Sequence, residues 1–304
     1  MFKRYILSLF LFFPVLIFSQ QKTVINTDSG KIAYQKFGKG YPLLIINGGP
    51  GMNSNGFAPL AKMLSEENTT IIYDQRGTGM SEVKGLKASA TTIDLMVEDI
   101  ELLRKELDYD QWIVLGHSFG GMLAYAYAVE HPERVKAMIQ SHSGGMSLRN
   151  VSRFDLGKRL TEEENDSLAH YSIMSQSSPG NTRLLRKRAE FLAKAYLVGK
   201  EHEDAITNRL LQVNREINGD VWRNMRANNF DLVSQMKNFK KPVLIMHGDR
   251  DPVPIDIAQF AKRTIPNSEL VIMENCGHYG WLDTPEIYLT EVKQFLKDNS
   301  TSIN

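Results

Sequence analysis

Six short runs of almost unbroken apolar residues recur along this chain. They are Leu43–Asn47, Thr70–Asp74, Trp112–Gly116, Val135–Gln140, Val243–His247 and Leu270–Met273. Runs of this length, bounded by turn residues, read as strands buried on both faces. Helical patterns lie between them, at Phe57–Glu66, Thr91–Leu107, Ser118–Glu130, Ile255–Arg263 and Pro285–Lys297. Strands alternating with helices predict an α/β fold with a mostly parallel central sheet and helices on both faces. Lys22–Asn26 and Lys31–Phe37, joined by the turn signal Thr27-Asp28-Ser29-Gly30, predict a hairpin leading into that sheet.

The alternation stops between residues 147 and 237. This stretch is polar and helical in pattern, with amphipathic segments at Thr182–Gly199 and Asp204–Glu216. An all-helical insertion in an α/β chain predicts a lid over the sheet edge where binding residues collect. The core is then residues 21–146 together with 238–304. Residues 1–20 stand apart. A basic start, an apolar stretch from Tyr5 to Phe18 and a polar turn at Ser19-Gln20 describe a secretory signal peptide cleaved near residue 20. An uncleaved anchor is the alternative, but the stretch is short for a span and holds Pro14. This predicts an exported protein, periplasmic or extracellular, with no stable membrane insertion after cleavage. With 36 basic and 35 acidic residues, the net charge of +1 gives no reason to expect a nucleic-acid partner.

Gly116-His117-Ser118-Phe119-Gly120 matches G-x-S-x-G between a predicted strand and a predicted helix. That context makes a sharp turn that exposes a serine hydroxyl, the nucleophile of an acyl transfer. His117 reads as a packing residue. Asn47-Gly48-Gly49-Pro50-Gly51 follows a buried strand and supplies a flexible backbone near the serine. The N–H groups of Gly49 and Phe119 are the candidate oxyanion donors. His278, after the last strand, is the candidate general base. His247-Gly-Asp249-Arg-Asp251-Pro offers two carboxylates. Asp251, deeper in the loop, is the chosen acid and Asp249 the alternative. Cys276, the only cysteine, permits no internal disulfide. It lacks the turn a nucleophile needs. Scattered histidines and the absence of H-E-x-x-H or paired cysteines predict no metal site, and no glycine pattern suggests a dinucleotide or other cofactor. A serine at the turn excludes dehalogenase or epoxide-hydrolase chemistry, which wants a carboxylate there.

These motifs, with Asp74-Gln75-Arg76-Gly77-x-Gly79-x-Ser81, resemble the proline iminopeptidase family of α/β-hydrolases (peptidase family S33) over residues 47–278. The resemblance implies the α/β-hydrolase fold with an inserted helical lid, a triad of Ser118, Asp251 and His278, and an oxyanion hole from Gly49 and Phe119. It implies an aminopeptidase that releases N-terminal proline or another small residue from short peptides without a metal. Two departures matter. Asn47 stands where the family usually has histidine, and the elbow Gly-His-Ser-Phe-Gly leans toward esterases. The family binds the substrate ammonium with lid glutamates. Glu216 is the nominee for that role, while Asn214 and Asn229 fall near the expected positions. A carboxylesterase or lactonase is the alternative, and a non-catalytic binding protein on the same fold is the third reading.

Overall fold

The computed structural model describes residues 22–85 and 90–300. The proposed signal segment lies outside the described residues. Nine strands among the described residues form one sheet. β1 (Thr23–Thr27) and β2 (Gly30–Phe37) form the predicted hairpin, with Thr27 paired to Gly30. β2 then runs antiparallel to β4 (Asn68–Tyr73). β3 (Tyr41–Ile46), β4, β6 (Trp112–His117), β7 (Val135–Ser141), β8 (Val243–Gly248) and β9 (Ser268–Met273) are mutually parallel in the order β4-β3-β6-β7-β8-β9. The two-residue β5 (Glu82–Val83) pairs with β2 and has no apolar run to announce it.

Side chains of the central strands alternate between two cores, as the period of two requires. Leu44, Ile46, Val114 and Ile245 point to one face. Leu43, Ile45, Ile113 and Leu244 point to the other. Helices α2 (Ile93–Glu106), α3 (Phe119–Glu130) and α9 (Ile255–Thr264) cover the first face. Helices α1 (Ala58–Met63) and α11 (Pro285–Asn299) cover the second. An apolar stripe on each side explains why the strand runs are apolar at every position rather than at alternate ones.

The insertion contains α4 (Glu162–Ser177), α5 (Thr182–Tyr196), α6 (Glu203–Leu210), α7 (Arg215–Ala227) and the short α8 (Val233–Met236), with no strand longer than an isolated bridge among its described residues. Thr161 and Glu164 close a reciprocal cap on α4. The expected helix at Asp204–Glu216 is in fact two. Asn214 interrupts it by accepting hydrogen bonds from the N–H groups of Glu216 and Ile217, which starts α7. Asn229, with φ of 49°, ends α7 in a Schellman turn: its N–H bonds Arg226 and that of Phe230 bonds Met225. The two asparagines near the family's amine-binding positions are therefore helix punctuation. No described helix is long and apolar enough to cross a membrane.

Candidate active site

The C-terminal ends of the parallel strands converge on one cavity, where α/β sheets place their ligands. Gly49 follows β3, Ser118 follows β6, His142 follows β7, Asp251 follows β8 and His278 follows β9. Ser118 has φ of 56° and ψ of −121°, a strained conformation for a residue with a Cβ. The turn is possible because Gly116 and Gly120 bring β6, α3 and β3 into contact. A Cβ on Gly120 would overlap the Ile46 carbonyl oxygen. The turn is tied to β7, since Ser118 N–H donates to the Ser141 carbonyl at 3.0 Å and its own carbonyl accepts from Gly144 at 3.1 Å.

Asp251 is fully buried beneath the cavity. His278 Nδ1 lies 2.9 Å and 3.0 Å from its two oxygens. Asp249 does not reach His278; its Oδ1 accepts from the Cys276 N–H. Asp251, and not Asp249, is the carboxylate hydrogen-bonded to His278. Burial pushes its carboxyl up, but His278, His247 and the hydrogen bonds from His142 and His278 outweigh burial and hold it well below the usual carboxylate range. With Nδ1 on Asp251, Nε2 is the ring nitrogen of His278 left for chemistry. His278 and Ser118 both line the cavity, together with Gly49 and Phe119. No hydrogen bond joins the Ser118 hydroxyl to His278 among the described residues, and such contacts often tighten only with substrate. Phe119 opens α3, so its N–H is one of the four that a helix leaves without an internal partner.

One functional neighbour was not legible in the sequence. His142 donates from Nδ1 to Asp251 Oδ2 at 2.8 Å, and its Nε2 accepts from the Gly280 N–H at 3.1 Å. These two bonds fix one neutral tautomer. Burial pushes its pKa down to about 4, against the pull of Asp251. The sequence placed His142 at the end of a strand but offered no spacing to link it to residue 251. His117 is buried and packs its ring 4.8 Å from that of His278 and 4.9 Å from Trp281, the packing role expected of it. His142, His247 and Asp251 carry donor atoms within 4.8 Å of one another. Their hydrogen bonds already engage them: Asp251 and Gly280 hold His142, and His247 Nε2 donates to the Val253 carbonyl. His142 is therefore a hydrogen-bonded support for Asp251, and His247 is tied to the same loop through Val253, whose N–H donates to Asp251 Oδ1.

Further support comes from the Asp-Gln-Arg-Gly segment. Asp74 accepts from the Ser54 N–H and hydroxyl at 2.9 Å and 2.8 Å. Gln75 Nε2 donates to the Asn47 carbonyl at 2.8 Å, and Arg76 forms a bidentate pair with Asp99. The motif holds the Gly48–Gly51 loop in place. Asn47 does the same from inside, donating to the Gly48 and Met52 carbonyls. Cys276 is buried, and burial pushes its thiol up to about 12, which leaves no thiolate near neutral pH.

Glu216 does not meet the cavity. It is exposed on the first turn of α7, where negative charge favours the helix N-terminus. The expectation that it binds substrate is corrected on that ground: the break at Asn214 turns the start of α7 so that Arg215 and Asn218 line the cavity instead.

A family model described as the alpha/beta hydrolase fold matches residues 41–285. The chain belongs to this family. Among curated α/β-hydrolase relatives, it is similar to a proline iminopeptidase of Heyndrickxia coagulans, 28% identical over 90% of this chain and 97% of that one. Solved structures share the fold. An esterase from Exiguobacterium antarcticum superposes with a TM-score of 0.71 at 23% identity, covering 91% of this chain and 100% of its own. A proline iminopeptidase from Mycobacterium smegmatis does so with 0.70 at 22% identity, covering 92% and 99%.

Proposed function

We propose that this α/β-hydrolase is a serine hydrolase that cleaves a small ester or amide through an acyl-enzyme on Ser118. The observation that carries the reading is the seating of His278 on both oxygens of buried Asp251, on the wall of the cavity that also holds strained Ser118. Ser118 Oγ attacks the carbonyl while His278 Nε2 takes its proton. The N–H groups of Gly49 and Phe119 receive the oxyanion. His278 then protonates the departing alcohol or amine. Water, activated by the same nitrogen, releases the acid and restores the serine. Asp251 orients the ring and stabilises the imidazolium.

Similarity to proline iminopeptidases over most of the chain supports an aminopeptidase. The cavity favours the second reading, a carboxylesterase or lactonase, because no aspartate or glutamate lines it among the described residues to hold a free ammonium. The deciding experiment compares proline p-nitroanilide, its N-blocked form and p-nitrophenyl esters. Turnover of esters and blocked anilides with no gain from a free amine supports the esterase. Strict need for the free amine supports the aminopeptidase. A fluorophosphonate probe that labels the wild type but not Ser118→Ala supports the serine mechanism, and no labelling of either favours the non-catalytic binding protein. Export is supported by residues 1–20 and tested by cell fractionation.

A further inference from the structure

The cavity above Ser118 has a volume of about 430 Å³ and an unbalanced charge. Arg188 reaches it from α5 and Arg215 from the first turn of α7, and no carboxylate lines it among the described residues. Three other cations of α5 have carboxylate partners. Arg186 meets Glu190 and Asp204, Lys187 meets Glu190, and Lys194 meets Glu164. Arg188 and Arg215 make no ion pair with the described residues. Arg215 Nη1 donates to the Ser175 carbonyl at 3.3 Å, which fixes its guanidinium on the cavity wall. Burial pushes the Arg188 guanidinium below its ordinary value, and the charge on Arg215 pushes the same way. The rest of the wall is largely apolar, with Leu192, Leu210, Val213 and Trp222.

Arg188 is half-buried without a counter-ion, which is costly, Arg215 is exposed beside the same cavity, and the planar fork of donors on each matches a carboxylate. Two such groups on one apolar cavity describe half of a recognition site. We propose that the substrate has an apolar body and a carboxylate away from the scissile carbonyl, and that Arg188 and Arg215 bind that carboxylate. This rests on the serine-hydrolase reading above and narrows its substrate class to anionic esters or amides. The carboxylate can belong to the acyl part, as in a half-ester of a dicarboxylic acid, or to the leaving part, as at the C-terminus of a short peptide. The reaction balances identically in both: the acyl C–O or C–N bond breaks, water adds its hydroxyl to the acyl carbon and its proton to the leaving group.

The test uses two matched pairs. One is the p-nitrophenyl half-ester of glutaric acid against a neutral p-nitrophenyl ester of equal length. The other is a dipeptide with a free C-terminus against its amide. The carboxylate member of one pair is expected to lead by about tenfold or more in kcat/KM, mainly through KM, because charge-assisted bonds are lost in the neutral member. The pair that responds identifies the source of the carboxylate. In Arg188→Gln combined with Arg215→Gln, the ratio is expected to fall toward one. Ratios at or below one in both pairs, or a ratio unchanged in the double variant, overturn the proposal while leaving the serine mechanism standing. Titration of glutarate into Ser118→Ala reads the same site without turnover. Heat of binding that the double variant loses supports the proposal, and no heat in either protein overturns it. Loss of fluorophosphonate labelling, by contrast, sinks the underlying mechanism.

Discussion

The buried His142 makes a quantitative forecast about acid stability. Its pKa is pushed from the ordinary 6.5 down to about 4 in the folded protein. That difference corresponds to about 3 kcal/mol of stability linked to one proton. Above the ordinary value both folded and unfolded chains hold a neutral ring, and the stability is intact. As pH falls from 6.5 the unfolded chain takes the proton first, so stability drains away until the folded ring also titrates near 4. His142→Asn isolates this contribution. Position 142 has φ of 49°, a left-handed conformation that asparagine tolerates better than most residues. Asparagine also keeps a donor near Asp251, but it leaves the Gly280 N–H without its acceptor, at a cost of about 1–3 kcal/mol near neutral pH. Urea unfolding of both proteins at several pH values between about 7.5 and about 4 provides the assay. The stability advantage of the wild type should shrink by about 3 kcal/mol across that window, enough to close or invert it at the acid end. An advantage that stays constant with pH would refute the assignment of His142 as a ring buried in its neutral form.

Three further outcomes follow from the site. Asp251→Asn should keep the fold but lower kcat by about 10⁴-fold, since an amide cannot enforce the tautomer that leaves Nε2 basic; a loss under about tenfold would argue that His278 is oriented by something else. Glu216→Gln should leave kcat/KM within about twofold for ester and aminoacyl substrates alike, because an exposed helix charge away from the cavity contributes little; a large rise in KM confined to aminoacyl substrates would restore the ammonium role. Gly120→Ala should destabilise the protein by more than about 3 kcal/mol or abolish folding, because its Cβ has nowhere to go beside the Ile46 carbonyl; a soluble variant with an unchanged melting temperature would disprove that close approach.

Much of the sheet was legible because a strand buried on both faces must be apolar at every position. The runs at Leu43–Ile46, Ile113–Leu115 and Val243–Met246 left no competing reading. The residues proposed for the triad were placed in the sequence for a related reason: each sits just past a strand end, and only His278 among the histidines follows the last one. The lid resisted. Its helices are polar outside and lightly buried, and α7 begins at a capping asparagine that carries no hydrophobic signal. That single cap decided whether Glu216 or Arg215 faced the cavity. His142 escaped because it meets Asp251 across 109 residues of chain, a contact that only strand order creates.

The lid is fastened to the residues it covers. Asn214 N–H donates to the Gly51 carbonyl at 2.7 Å, Asn218 Nδ2 to the Pro50 carbonyl at 2.9 Å and Arg209 Nη2 to the Gly48 carbonyl at 2.7 Å. On the opposite side, the His278 N–H donates to the Tyr196 carbonyl at 2.7 Å. Both the glycine loop and the histidine loop are thus partly built by the insertion. A chimera that transplants another insertion onto this sheet would therefore remake the backbone supports of the Gly48–Gly51 loop and of His278 along with the cavity walls. Under the proposed serine-hydrolase reading, substrate choice and catalytic competence are therefore coupled through these bonds, so that new specificities should be reached more readily by changing side chains within the insertion than by exchanging it whole.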